Sequence, residues 1–211
     1  MAKSKQNLYG QEMGAKGAQT QAKILKATNG LIGKRSIREL KVSEICALAG
    51  VSSSTFYLYF QTVSEAALAV AEEANQSSPE IMKIFESEWT RENVFDQSKK
   101  FVKAYFTYWA EHAAILRVRN FAADEGDRRF FEARRKAIEP IHFAIQEKLT
   151  EFQTFNSTAL DLHVPSAASV LIALIERTAV VVLLPSAHKA TRPRQIEVVA
   201  FMIASTLLGN L

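Results

Sequence analysis

Residues 42–60, VSEICALAGVSSSTFYLYF, carry the pattern that decides the fold. Apolar residues recur at helical spacing from Val42 to Ala49 and predict a short helix. Gly50 allows the positive φ that a sharp turn needs, and Ser52 can cap the helix that follows. The stretch therefore predicts two short helices joined by a tight turn.

The second of these helices, predicted over 53–60, has two different faces. Phe56 and Phe60 are four residues apart and can enter one core together. Tyr57 lies on another face, and the helix carries no charge but several hydroxyl groups, at Ser53, Ser54, Thr55, Tyr57 and Tyr59. Hydroxyls of this kind can reach phosphate oxygens or base edges in a DNA groove. The pattern favours a helix-turn-helix over the alternative of two ordinary packing helices.

The sequence around this motif is helical in character and predicts an all-α fold. A polar arm at 1–18 precedes a predicted first helix over 20–32. Thr62 and Glu65 form a capping box for a fourth helix, which fades into the polar residues before Pro79. Further helices are predicted over 80–88, 92–112, 113–124, 128–152, 165–184 and 193–208. No segment shows the sustained alternation of a strand.

Charge and composition indicate which partners and which cellular location the protein is expected to have. Residues 1–64 hold nine basic and three acidic side chains, and the remainder holds 17 and 19, so the net charge is +6 before residue 65 and −2 after it. A basic first third favours a polyanion partner for that part. The single cysteine and the lack of an apolar leader in residues 1–16 predict a cytoplasmic protein. Glu176 and Arg177 interrupt the most apolar run, which predicts a buried helix rather than a membrane span.

Residues 42–60, with AGVS followed by TFYLYF, resemble the DNA-binding motif of TetR-type bacterial transcriptional regulators. The similarity covers roughly residues 18–75. In that family the remaining, all-helical part binds a small effector and forms a dimer through its last two helices. The resemblance implies a three-helix DNA-binding domain at 19–78 and a larger helical domain for effector binding and dimerisation at 79–211.

The resemblance also implies roles for single residues. The predicted DNA-binding residues are Lys41, Ser43, Ser52, Ser53, Ser54, Thr55, Tyr57, Tyr59 and Thr62. Four positions depart from the family pattern: Ser36, Lys41, Ser43 and Val63. Val63 stands where a phosphate-binding lysine is common, and Ser43 stands where arginine is common. The predicted recognition surface is therefore rich in hydroxyls and poor in charge.

An aromatic stripe in the second part is the candidate effector site. Phe101, Tyr105, Tyr108 and Trp109 have the spacing of one helix face, which His112 continues, and plain core packing is the alternative reading. The full set of predicted effector-binding residues is Phe101, Tyr105, Tyr108, Trp109, Phe121, His142, Phe143 and Glu176. This composition favours an apolar or aromatic ligand with few polar groups. The basic run 134–136 is read as a solvated helix face or, alternatively, as an attractor for an anionic effector such as an acyl-CoA.

The sequence thus predicts a sequence-specific DNA-binding regulator. The expected form is a homodimer on a palindromic double-stranded operator, because one short recognition helix contacts few bases. The expected role is that of a repressor, which a small effector releases from the operator. No enzyme, metal or cofactor signature is found in the sequence, so neither catalytic residues nor cofactors are predicted. The alternatives are a helical ligand-binding protein or enzyme with an incidental helix-turn-helix, and a non-specific nucleoid-type binder.

Overall fold

The computed structural model describes Leu8 and residues 12–34, 36–75, 79–155, 162–183 and 192–209. Within these ranges the regular structure is helical, without a strand, which confirms the all-α prediction. The helices are α1 Ala15–Ile32, α2 Val42–Ala49, α3 Ser53–Tyr57, α4 Val63–Asn75, α5 Pro79–Glu86, α6 Val94–Asp124, α7 Arg128–Phe155, α8 Val164–Val182 and α9 Arg192–Leu208, with a 3-10 helix at Ile37–Glu39.

Several predicted features lie outside the described residues. They are most of the arm (1–7 and 9–11), the end of the predicted DNA-binding domain at 76–78, and the last residue, 184, of the helix predicted over 165–184.

Several helix boundaries differ from the prediction. α1 begins at Ala15, five residues before the predicted start. Gly14 takes the extended cap position, and Gly17 lies inside the helix. α3 ends at Tyr57, since Tyr59 N–H turns back to the Phe56 carbonyl at 2.9 Å. α6 runs unbroken to Asp124, and the predicted break at 112/113 is wrong because no glycine or proline interrupts the helix before Gly126.

The chain forms two compact units: unit 1 contains Met1–Asn75 and Ala114–Arg134, and unit 2 contains Gln76–Ala113 and Arg135–Leu211. Unit 1 buries one apolar core between α1, α2, α3, α4 and the end of α6. Its members with no exposed surface are Ile24, Ile45, Phe56, Ala66, Ala67 and Ala71. The helical spacing of these residues along their own segments is what brings them to one core.

A buried arginine, Arg119, links separate segments of unit 1 through hydrogen bonds. Arg119 donates from Nη1 to Asn75 Oδ1 at 3.1 Å and from Nε to Asn120 Oδ1 at 3.1 Å. Asn75 in turn donates to the carbonyl oxygen of Ala133 at 3.0 Å. Buried polar groups need such partners, so these bonds join the end of α4 to segments far away in sequence.

Unit 2 has an aromatic core. Phe85 stacks on Trp89 with ring centroids 5.4 Å apart and meets Phe101 edge-on at 4.9 Å. α8 packs against α9. Among the described residues, α8 is the one helix long and apolar enough to cross a membrane, with a mean hydropathy of 1.6 over a window of which one third is buried.

Candidate nucleic-acid interface

The turn between α2 and α3 depends on Gly50. Its φ of 67° and ψ of 39° lie in the left-handed region, which costs a residue with a Cβ roughly 1–2 kcal/mol. The N–H groups of Gly50 and Val51 both return to the Cys46 carbonyl, the latter at 3.1 Å. These bonds satisfy a backbone carbonyl at the end of α2 and reverse the direction of the chain within two residues. The predicted role of Gly50 is confirmed.

The N-terminus of α3 carries a cluster of hydroxyl groups. Ser52 caps the helix, because its Oγ accepts the N–H of Thr55 at 3.1 Å. The same Oγ lies 2.8 Å from Ser54 Oγ and 2.8 Å from Thr55 Oγ1. Ser52, Ser53 and Ser54 are exposed, so these donors and acceptors are available at the protein surface.

The two faces of α3 are separated as the sequence predicts. Phe56 is fully buried in the unit 1 core and meets Phe60 with ring centroids 5.8 Å apart. Tyr57, the next residue, is 47% exposed and packs edge-on against Phe56. The structure therefore directs a phenol outward from the same short helix that Phe56 anchors.

The remaining predicted DNA-binding residues lie before or after α3 in the sequence and differ in their exposure and contacts. Lys41 and Ser43 are exposed at the start of α2, where Glu44 Oε2 accepts the Lys41 N–H at 3.0 Å. Thr62 caps α4, since its Oγ1 accepts the Glu65 N–H at 3.1 Å. Tyr59 is half-buried against the unit 1 core. Its Oη lies 3.5 Å from the place that a Cβ on Gly17 would take.

Sequence reasoning missed two apolar residues beside the motif. Leu48 on α2 and Leu58 at the end of α3 are both exposed. The carbonyl of Leu58 also accepts the N–H of Leu8 at 3.1 Å. Helical spacing alone does not give the exposure of Leu48, because it lies about 60° around the helix from the buried Ile45 and about 100° from Ala49.

Comparisons with known proteins agree with this geometry. The sequence model described as "Bacterial regulatory proteins, tetR family" matches residues 24–68, which contain the helix-turn-helix. The model described as "Tetracyclin repressor-like, C-terminal domain" matches residues 82–209, more than half of the chain. The chain belongs to the TetR family of bacterial transcriptional regulators. A search of curated protein sequences finds no match.

Solved structures of bacterial regulators share the fold at low sequence identity. The fatty acid degradation regulator FadR from Bacillus halodurans is 16% identical, with a TM-score of 0.67 over 95% of this chain and 98% of that one. FadR from Bacillus subtilis, in complex with stearoyl-CoA, is 15% identical, with a TM-score of 0.66 over 90% and 98%. A tetR-family regulator from Streptomyces coelicolor is 17% identical, with a TM-score of 0.65 over 92% and 82%.

The predicted effector residues of this TetR-family chain fall in both units. Phe101, Tyr105, Tyr108 and Trp109 are buried on α6 in unit 2, where consecutive rings of Phe101, Tyr105 and Tyr108 lie 6.2 Å apart. His112 extends the stripe, and burial lowers the pKa of its ring. Phe121 belongs to unit 1 and is mostly exposed.

The other candidates in unit 2 also differ in their surroundings. His142 Nε2 lies 3.1 Å from Ser169 Oγ, and Gln146 Nε2 lies 2.8 Å from His142 Nδ1. Phe143 is exposed. Glu176 is buried in the middle of α8, whereas the neighbouring Arg177 is exposed.

The basic run near the start of α7 is engaged in ion pairs. Arg134 contacts Asp124 at 3.2 Å, and Arg135 contacts Glu139 at 2.9 Å. Arg129 contacts Asp127 at 2.8 Å. Such exposed pairs are typical of a solvated helix face.

We predict that Gly50→Ala destabilises the protein by about 1 kcal/mol, through backbone strain alone, because no atom lies within 4 Å of the added Cβ. Gly30→Ala is the matched control: Gly30 lies within α1, with equally open space for a Cβ. That change should instead stabilise by roughly 0.5 kcal/mol. Thermal or urea unfolding of both variants measures the difference, and equal effects of the two substitutions would contradict the role of the turn.

Proposed function

We propose that the protein is a cytoplasmic repressor that binds a palindromic operator as a homodimer and is released by a small, largely apolar effector. In this proposal residues 19–78 form the DNA-binding domain and 79–211 form the effector-binding and dimerisation domain. The outward position of Tyr57 beside the buried Phe56 is the observation that carries the proposal.

The chemistry of α3 supports sequence-specific binding over mere charge attraction. The helix has no charged side chain, so a non-specific attraction to phosphate has to come from residues elsewhere, such as the exposed Lys41. Hydroxyls at Ser53 and Tyr57 can donate and accept, which suits readout of base edges. Two copies of this short helix are needed for useful specificity.

We predict that Tyr57→Phe weakens operator binding by roughly 30-fold, since each of two heads loses a hydrogen bond worth roughly 1 kcal/mol. The operator is first selected from random DNA, and affinity is then measured by gel retardation. Thr107→Ala is the control, because it removes an exposed hydroxyl from α6 in unit 2. Equal affinity of the wild type for selected and random fragments would favour the nucleoid-type alternative.

The effector proposal is supported by unit 2. Trp109 is 1% exposed, and its indole Nε1 has no hydrogen-bond partner in the part of the chain that the structure describes. Ser98 Oγ, eleven residues earlier on the same helix face, is likewise buried without a partner there. Unsatisfied buried polar atoms are costly, and a ligand acceptor among the aromatic rings would satisfy them.

Stearoyl-CoA is the first probe, because a structural neighbour of the same fold was solved with it. We expect stearoyl-CoA to release the selected operator and coenzyme A alone to have no effect, since the apolar chain provides the binding energy. Trp109→Phe should weaken release about tenfold through loss of one buried hydrogen bond. Trp89→Phe is the matched control, because Trp89 already donates to the Ile84 carbonyl at 3.0 Å. Release by coenzyme A alone would contradict an apolar effector.

The proposed dimer is supported by apolar side chains left uncovered on the last two helices. Val170 and Val181 lie on one face of α8, and Val198, Phe201 and Met202 lie on one face of α9; all are exposed. Water contact with such a surface is unfavourable, and a second copy would cover it in a four-helix seam. Glu176 and Arg177 make insertion of α8 into lipid costly.

We predict that Phe201→Arg converts the dimer to monomers, because it places a charge in the apolar seam beside its own symmetry mate. Phe131→Arg is the control: Phe131 is also more than half exposed but lies on α7 in unit 1. Sedimentation velocity at several concentrations distinguishes the species. A wild-type protein that stays monomeric at high concentration would overturn the dimer proposal.

A further inference from the structure

We propose that a cavity in unit 1, lined by Phe121 and Arg117, binds a small amphipathic anion: an apolar body that carries one carboxylate, sulfonate or phosphate group. The cavity has a volume of about 550 Å³ and is bordered by the 3-10 helix, the start of α4, the end of α6 and the start of α7. This volume is within the range of small-molecule sites. All of its lining residues belong to unit 1, so it differs from the aromatic stripe of unit 2.

Five of the residues that line the cavity are apolar. Phe130 is buried, and Ile37, Val118 and Ala122 are half-buried. Phe121 also lines the cavity and is 56% exposed. A ligand with an apolar body would remove this surface from water and gain the corresponding free energy.

Two arginines and two acids line the cavity, and a third arginine that does not line it, Arg129, pairs with Asp127. Glu125 forms an ion pair with Arg38, whose guanidinium also lies 5.5 Å from the centre of the Phe121 ring. Asp127 accepts from Arg129 Nη2 at 2.8 Å and from the Arg129 N–H at 3.0 Å. These bonds hold the pKa of Asp127 below its usual range.

Both acids are thus neutralised by arginines. Arg117 lines the same cavity, is exposed, and has no ion pair or hydrogen bond with any residue that the structure describes. Because Arg117 provides the uncompensated charge, the cavity selects an anion over a cation of the same shape.

The position of the cavity connects it to the DNA-binding helices. Ile37 and Arg38 belong to the 3-10 helix, which leads through Leu40 directly to Lys41 at the start of α2. Ser64, in the first turn of α4, lines the cavity as well. A bound ligand would therefore contact both chain segments that flank the helix-turn-helix.

The test uses anilinonaphthalene sulfonate, an aromatic anion that becomes fluorescent in apolar surroundings. We expect saturable binding to the full-length protein without DNA. Phenylbutyrate should displace the dye, whereas phenylbutylamine, which has the same apolar body and the opposite charge, should not. The assay contains no operator, so its outcome is independent of whether the protein represses transcription.

Three variants locate the binding. Arg117→Ala should weaken dye binding about tenfold, since a charge-assisted hydrogen bond is lost. Ala122→Trp should abolish this binding by filling the cavity. If that variant does not fold, Phe121→Ser removes the apolar wall from an exposed position and should lower the affinity without lowering the unfolding temperature. Arg128→Ala is the matched control, because Arg128 is an exposed arginine of unit 1 outside the cavity.

The proposal is overturned by any of three results: no saturable dye binding to the wild type, unchanged affinity in the folded cavity variants, or equal displacement by phenylbutylamine. Binding that persists in all the variants would assign the dye to another part of the protein, such as the aromatic stripe of unit 2, and would equally refute a site in unit 1.

Discussion

The burial of Phe56 fixes the direction in which the rest of the DNA-binding surface points. α3 is five residues long, too short to be stable without tertiary contacts. It is held by Phe56 in the core and by the Ser52 cap at its start. One residue advances about 100° around a helix, so the burial of Phe56 turns Tyr57 to a different side, where it is 47% exposed. The proposed readout of DNA therefore depends on packing inside unit 1.

This dependence explains why the sequence predicted the motif well. The bounds of α2, the left-handed Gly50, the Ser52 cap and the Thr62 cap follow from interactions within a few residues of one another. Such local chemistry is visible in a sequence. The early start of α1 was not visible, because Gly14 and Gly17 favour a loop by composition. In the structure, Gly17 lies inside α1 next to Tyr59, a contact between residues far apart in sequence.

The division of the chain into units was also beyond sequence analysis. Residues 114–134 join the N-terminal unit, although α6 and α7 each run as one unbroken helix across the change. Helical periodicity records which side of a helix is buried and contains no information on the partner. Arg119 illustrates the point: it is 2% exposed and bonded to Asn75, yet nothing near it in sequence distinguishes it from the solvent-facing arginines of α7.

Because helical periodicity does not identify packing partners, it also did not separate two chemically different groups among the predicted effector-binding residues. Phe121 was grouped with the α6 stripe by residue type, but it lines a cavity with an uncompensated arginine, whereas the stripe offers an indole N–H among aromatic rings. The first arrangement suits an anion and the second suits an apolar ligand with one acceptor. Occupancy alone changes nothing in either case: a ligand alters DNA binding only if it binds the released and the DNA-bound conformations with different affinity. The cavity of unit 1 fits that requirement directly, because its lining includes the segment leading into α2 and the first turn of α4, so a change in their conformation changes the site itself.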